Sequence, residues 1–281
     1  MLIRILTGIV GIALWAYIIQ AGGWIFSAVV LVLSLIGWHE YSSAFANKGV
    51  STAYIAGILG LAAIWYCGQW ADSEVLVAAM AGIVLVILLL TVLLHGAVLV
   101  RDACASIAGV FYLGLPFMYL VKLRFLPGAN VVTPAGTMGM GCALVWIMFV
   151  GTWASDSFAY FVGSAIGRHR LCPSISPKKT VEGFLGSVFG TTACVAAAGQ
   201  FFFGFPLLQM AVLGLAISLF ATLGDLVESV LKRYVGIKDS GALFPGHGGV
   251  LDRFDSVLYT APLVYFFMVY WAPLLSGLIG R

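Results

Sequence analysis

The chain has 281 residues, of which 62% are hydrophobic and 9% are Asp, Glu, Lys or Arg. Soluble domains carry about 25% charged residues, so a water-soluble globule is excluded; so is disorder, which requires a chain poor in apolar residues. A net charge of +3, with no basic stripe to track a phosphate backbone, excludes nucleic-acid binding. The expected fold is all-α, a polytopic transmembrane helical bundle of about nine spans.

A spanning helix needs about 20 mostly apolar residues. Segments of that kind occur in chain order at 2–20, 22–38, 53–70, 75–99, 103–121, 139–163, 181–203, 206–231 and 254–277. The first two run together from Leu2 to Trp38. That is much longer than a signal-peptide core of about 7–15 residues, so both are read as retained spans joined at Gln20–Gly23. Polar breaks such as Asn47-Lys48-Gly49, Asp72-Ser73-Glu74 and Arg101-Asp102 separate the others, and Phe205-Pro206 marks the tightest turn. The 34 glycines suit close helix packing. The five cysteines form no C-x-x-C pair, and all but Cys172 lie in apolar runs, which predicts buried thiols rather than disulfides or a zinc site.

Two regions are expected: residues 1–138, with about five spans, and residues 139–281, a catalytic region with charged loops 164–180 and 232–253. Residues 151–255 hold eight of the 14 basic and seven of the 11 acidic residues. With the N-terminus in the cytoplasm, only Lys122, Arg124 and Arg281 fall on the outer side, as the positive-inside rule prefers. Both charged loops then face the cytoplasm, where nucleotides are found, and the C-terminus lies outside.

Ionisable residues in or beside spans are costly and mark candidate sites. In the sixth span, Asp156 sits within Trp153-Ala154-Ser155-Asp156-Ser157-Phe158-Ala159-Tyr160; it either holds a cation or pairs locally with Ser, backbone or a basic side chain. Gly163 and Gly167 just beyond form a small-x-x-x-small packing pair. Ahead of the seventh span, Ser174-Ile175-Ser176-Pro177-Lys178-Lys179-Thr180-Val181-Glu182-Gly183 offers hydroxyls, backbone N–H groups and two ammonium groups. These are the elements of an anion site, or of a basic patch against lipid head groups.

On the eighth segment Asp225, Glu228 and Lys232 are spaced i, i+3, i+7 along one helix face. A loop rich in Gly and charge follows, with Lys238, His247, Gly248 and Gly249, and then Asp252, Arg253 and Asp255 at the start of the ninth span. Carboxylates without a Cys or His cluster favour a hard cation, Mg²⁺ first. Mg²⁺, paired lysines and a cytoplasmic face suggest phosphoryl or nucleotidyl transfer to a lipid.

These residues resemble a known family. Ser229-x-Leu231-Lys232-Arg233, Lys238-Asp239-x-Gly241-x-x-Phe244-Pro245-x-His247-Gly248-Gly249-Val250-x-Asp252-Arg253-Phe254-Asp255 is similar, without a gap over residues 229–255, to the signature of phosphatidate cytidylyltransferases, the CDP-diacylglycerol synthases. The Ser176–Gly183 and Asp156–Tyr160 segments look alike too, whereas the first half resembles the family only in hydropathy and length.

The resemblance implies CTP + phosphatidate → CDP-diacylglycerol + pyrophosphate, with Mg²⁺ as one ion or two, in a homodimer among membrane lipids. It assigns Asp225 and Asp252 to the metal, with Asp156, Glu228 and Asp255 as further ligands or supports. Ser176, Lys178, Lys179, Thr180, Lys238, Gly248 and Gly249 would bind substrate. Lys232, Arg233 and Arg253 would neutralise phosphate, and His247 would donate a hydrogen bond to it or shape the loop.

Two rivals remain from the residues alone: an ion-coupled carrier, and a CTP-dependent lipid kinase that releases CDP. Compact length and the absence of an organelle presequence point to a bacterial inner membrane.

Overall fold

The computed structural model describes residues 2–134, 136–241, 243 and 248–279. Its helices are α1 (Leu2–Ala21), α2 (Gly23–Ala46), α3 (Tyr54–Trp70), α4 (Ser73–Leu93), α5 (Val100–Arg124), α6 (Met140–Ile166), α7 (Val181–Ala197), α8 (Leu207–Val235), α9 (Leu251–Phe266) and α10 (Ala272–Ile279). π-helical turns extend α7 over Ala198–Phe202 and join α9 to α10 over Phe267–Trp271. Each of the nine apolar segments is therefore helical, and the protein is an all-α polytopic membrane protein. Seven of these helical segments among the described residues are long and apolar enough to cross a bilayer. At 17 residues, α3 reaches only about 25 Å along its axis, short of a hydrocarbon core of about 30 Å.

Two antiparallel hairpins interrupt the helices. β1 (Val131–Thr133) pairs with β2 (Gly136–Met138), and β3 (Arg170–Cys172) with β4 (Ser176–Thr180). The Ser-Pro-Lys-Lys-Thr segment, expected as a loop, is thus a strand, with Thr180 opposite Arg170.

The chain forms two compact units, each discontinuous in sequence: Met1–Lys122 with Leu231–Phe254, and Leu123–Val230 with Asp255–Arg281. In the first, Trp38 is fully buried and its indole N–H donates to the Tyr54 carbonyl at 3.0 Å. Gly57 and Gly109 make room for that ring; a methyl group at either would come within 2.1 and 2.8 Å of it, respectively. Phe254 packs against Trp15 and Phe117.

In the second unit α6 and α7 lie close together. A methyl group at Gly183 would meet the Ala159 carbonyl oxygen at 2.7 Å, and one at Gly186 would meet Val162 at 2.5 Å. Small residues allow such backbone approach, and the buried Ser155 and Ser187 hydroxyls bond across the pair at 2.8 Å. Gly163 and Gly167 serve packing as expected, but their neighbour is Thr180, which a methyl group at either glycine would meet at 3.0 and 2.8 Å, respectively.

Large apolar side chains such as Leu85, Leu89 and Val92 on α4 are exposed, consistent with lipid contact. The same logic corrects the expectation for the cysteines. All five are free, as expected, but only Cys142 is buried and Cys104 is exposed. An apolar residue in a bilayer has no need of a protein core.

Candidate active site

Within the second unit, α6, the β3–β4 hairpin, the start of α7 and α8 enclose a cavity of ≈ 550 Å³. Asp156, Arg170, Lys178, Lys179, Thr180 and Asp225 line it among Ser155, Tyr160 and Gly163. β4 places Lys178 and Lys179 there, Lys178 exposed and Lys179 half-buried. Lys179 Nζ lies 2.5 Å from an Asp225 carboxylate oxygen, and the Ser229 hydroxyl donates to the other at 3.4 Å.

The strand ends at Thr180 because Thr180 caps α7: its hydroxyl accepts from the Gly183 amide at 3.1 Å. Thr180 is buried in this role, and Ser176 is half-buried at the start of β4. Glu182 holds the hairpin from the other side, accepting from the Arg168 and His169 amides at 3.1 and 3.2 Å and lying 2.6 Å from His169 Nδ1. The two lysines are thereby carried on a braced hairpin.

Four of the carboxylates singled out in the sequence lie in this unit. Asp255, on α9, lies within electrostatic reach of Asp225, Glu228 and Asp156. Asp156 is exposed, Glu228 buried, and Asp255 half-buried, with one oxygen accepting from the Ser256 amide at 2.6 Å. Gly224 permits close approach of α8 to α9: a methyl there would lie 2.5 Å from the Asp255 carbonyl oxygen.

In the first unit the signature loop is bound together by Asp252, whose side chain is only 6% exposed. One oxygen accepts from Lys232 Nζ at 2.8 Å. The other accepts from the Ser240 amide, the Ser240 hydroxyl and the Gly249 amide, each at 2.8 Å. A single carboxylate thus ties the loop's entry to its exit. Gly248 has φ +88°, a left-handed conformation open to glycine, and a methyl there would come within 2.5 Å of the Asp252 carboxylate. Arg233, Lys238 and Arg253 are exposed. His247 lies outside the described residues, as do Phe244, Pro245 and Gly246.

One participant escaped sequence reading. Glu40, on α2, is buried and accepts from the Val250 and Leu251 amides at 2.9 and 3.0 Å. The apolar run ends at Trp38, which leaves Glu40 in a connecting loop when hydropathy alone is read. The helix in fact continues to Ala46, so the rule that flags an acid inside a span applies to it.

Among the described residues, no three His, Cys, Asp or Glu side chains lie close enough to hold a metal ion. The available donors are carboxylate oxygens, the kind a hard cation takes, and a carboxylate in such a setting favours a counter-charge. Asp225 and Asp252 each carry one in the form of a lysine ammonium.

The cytidylyltransferase family model matches residues 2–271. The phosphatidate cytidylyltransferase of Synechocystis sp. is 35% identical, with 98% of this chain and 99% of that protein covered. Its Staphylococcus aureus counterpart is 34% identical over 96% and 99%, and that of Bacillus subtilis is 33% identical over 94% and 96%. With near-complete coverage of each relative and of the family model, the chain belongs to the cytidylyltransferase family.

Proposed function

We propose that this chain is a phosphatidate cytidylyltransferase, transferring CMP from CTP to phosphatidate to yield CDP-diacylglycerol and pyrophosphate. Similarity over nearly the full length, at 33–35% identity, to enzymes of that name supports the reaction. The observation in the molecule that carries the reading is one cavity holding Lys178, Lys179 and Arg170 opposite Asp156 and Asp225. Cations for a polyphosphate and carboxylates for its counter-ion meet there in a membrane protein.

A phosphate monoester is largely dianionic at neutral pH, with a second pKa of about 6, so the phosphatidate oxygen is already a nucleophile. It attacks the α-phosphorus of CTP. The new P–O bond forms as the bond from that phosphorus to the bridging oxygen of pyrophosphate breaks, and no base is required. The obstacle is the meeting of two anions. Lys178 and Lys179 hold the triphosphate, with Ser176 and Thr180 at the two ends of β4 beside it. Lys232, Arg233, Lys238 and Arg253 offset charge on the lipid phosphate and the departing pyrophosphate. The Gly248-Gly249 backbone gives phosphate close access, and His247 donates a hydrogen bond to it.

Asp225 in the second unit, with Asp156, Glu228 and Asp255 in support, and Asp252 in the first are the carboxylates that would hold Mg²⁺, which would supply charge neutralisation and alignment. Positioning and electrostatic stabilisation provide most of the rate in such transfers. We place the enzyme in a bacterial inner membrane, as a homodimer among its lipids, with the N-terminus and site cytoplasmic and the C-terminus outside.

The test is turnover by purified protein supplied with labelled CTP, phosphatidate and Mg²⁺. Labelled CDP-diacylglycerol with pyrophosphate is expected, and chelation should stop the reaction until Mg²⁺ is restored. Release of CDP would instead identify a lipid kinase.

A further inference from the structure

Glu40 is the one acidic residue of α2, and its side chain is 6% exposed. An ionised carboxylate so placed is costly unless its oxygens are met by donors. Here they meet the Val250 and Leu251 amides at the start of α9, where unpaired N–H groups and the helix dipole favour negative charge. The fit is close on the loop side as well. A methyl group at Gly241 or Gly249 would come within 2.5 or 2.4 Å of a Glu40 carboxylate oxygen.

The Ser240 hydroxyl couples Glu40 to Asp252. It lies 3.3 Å from Glu40 Oε2 and 2.8 Å from Asp252 Oδ2. Its single proton can be donated to only one of the two carboxylates at a time, and the shorter contact is to Asp252. An apolar side chain would fill the same space on α2 without a desolvation cost. The carboxylate adds direction: it fixes two successive amides and, through them, the first turn of α9, which bears Asp252.

We propose that Glu40 is a positioning residue for the transfer reaction, anchoring the signature loop and the start of α9 so that Asp252 stays aligned with Lys232, Ser240 and Gly249. This rests on the transferase reading above. Glu40 acts through Asp252 and touches no substrate, so its loss should lower turnover more than substrate affinity.

Glu40→Gln keeps the volume and one acceptor oxygen but turns an N–H toward a main-chain donor. In the full-length protein we expect kcat to fall at least tenfold with KM for CTP within threefold of wild type. Tryptic cleavage after the exposed Lys238 should accelerate at least fivefold, with helical content by circular dichroism unchanged. A kcat within twofold of wild type, or an unchanged cleavage rate after Lys238, overturns the proposal. Should Glu40→Gln lose helical content, Glu40→Asp is read by the same two criteria. If wild-type protein makes no CDP-diacylglycerol, the transferase reading fails, while the cleavage comparison still tests Glu40's hold on the loop.

Discussion

Lys179 and Asp225 form a half-buried pair, 24% and 33% exposed. Solvent-exposed pairs contribute only about 0.2–1 kcal/mol to stability; this one still reaches solvent, and removing one member is expected to leave the fold intact and expose its functional role. Lys179→Ala is expected to raise KM for CTP about tenfold or more, the value of one charge-assisted phosphate contact; an unchanged CTP response in steady-state assays would remove Lys179 from the nucleotide site. Asp252→Asn is a harsher change. The amide cannot accept at both positions, so Lys232 loses its anionic partner and one side of the loop neck loses its acceptor. Turnover should fall at least a hundredfold, about 2.7 kcal/mol of transition-state stabilisation, while the protein still inserts in the membrane. Helical spacing and the signature single out both aspartates. They do not reveal the lysine pairings. Spacing set Lys232 on one face with Asp225 and Glu228, yet its ammonium bonds Asp252, twenty positions on, because the intervening loop folds back. Such a return is a tertiary event with no local periodicity to announce it.

At the scale of elements, the helices were legible because each must present apolar residues over a bilayer's thickness. Their ends were less so. α2 continues eight residues beyond its apolar run, through His39, Glu40 and a stretch of small and aromatic residues that are compatible with a helix but carry little hydropathy signal. The β3–β4 hairpin was missed for a different reason. Three residues pair with five, with an irregular register between Arg170 and Cys172, and so short a ladder leaves no period-2 pattern. What holds the hairpin to the membrane helices is close packing, which can be tested. Gly183 stands where α7 meets α6, with no space for a side chain beside the Ala159 carbonyl. Gly183→Val must push backbone rather than a side-chain tip, and overpacking of that kind costs about 1–3 kcal/mol. Thermal unfolding in detergent should show a lowered midpoint together with weakened CTP binding, since the hairpin bearing Lys178 and Lys179 moves with α7. The control Leu185→Ala, on an exposed face of the same helix, should change neither.

At the scale of the molecule, sequence order and spatial grouping diverge. The loop that closes the signature clusters with the N-terminal helices, and the helices before and after it contribute to both units. No reading of one local window can assign Glu40 to a loop 200 residues away, so the first half of the chain reads in sequence as lipid-filling scaffold. Orientation, by contrast, is an expectation from charge counting. Nine crossings with a cytoplasmic N-terminus would put the β1–β2 hairpin outside and the β3–β4 hairpin inside, with Lys122 and Arg124 among the few basic residues on the outer side. α3 is the weak point, because a 17-residue helix that failed to cross would reverse every later loop. The two hairpins report on this directly. In a cysteine-free background, Val132→Cys on the exposed face of β1 should react in intact cells with a membrane-impermeant maleimide. Ser174→Cys, exposed in the β3–β4 turn, should react only after the membrane is permeabilised. The reverse pattern would put the lysine-bearing cavity on the side where CTP is absent, which is incompatible with a nucleotide-using enzyme. The labelling pattern therefore tests the crossing number and the access of the site to its soluble substrate together.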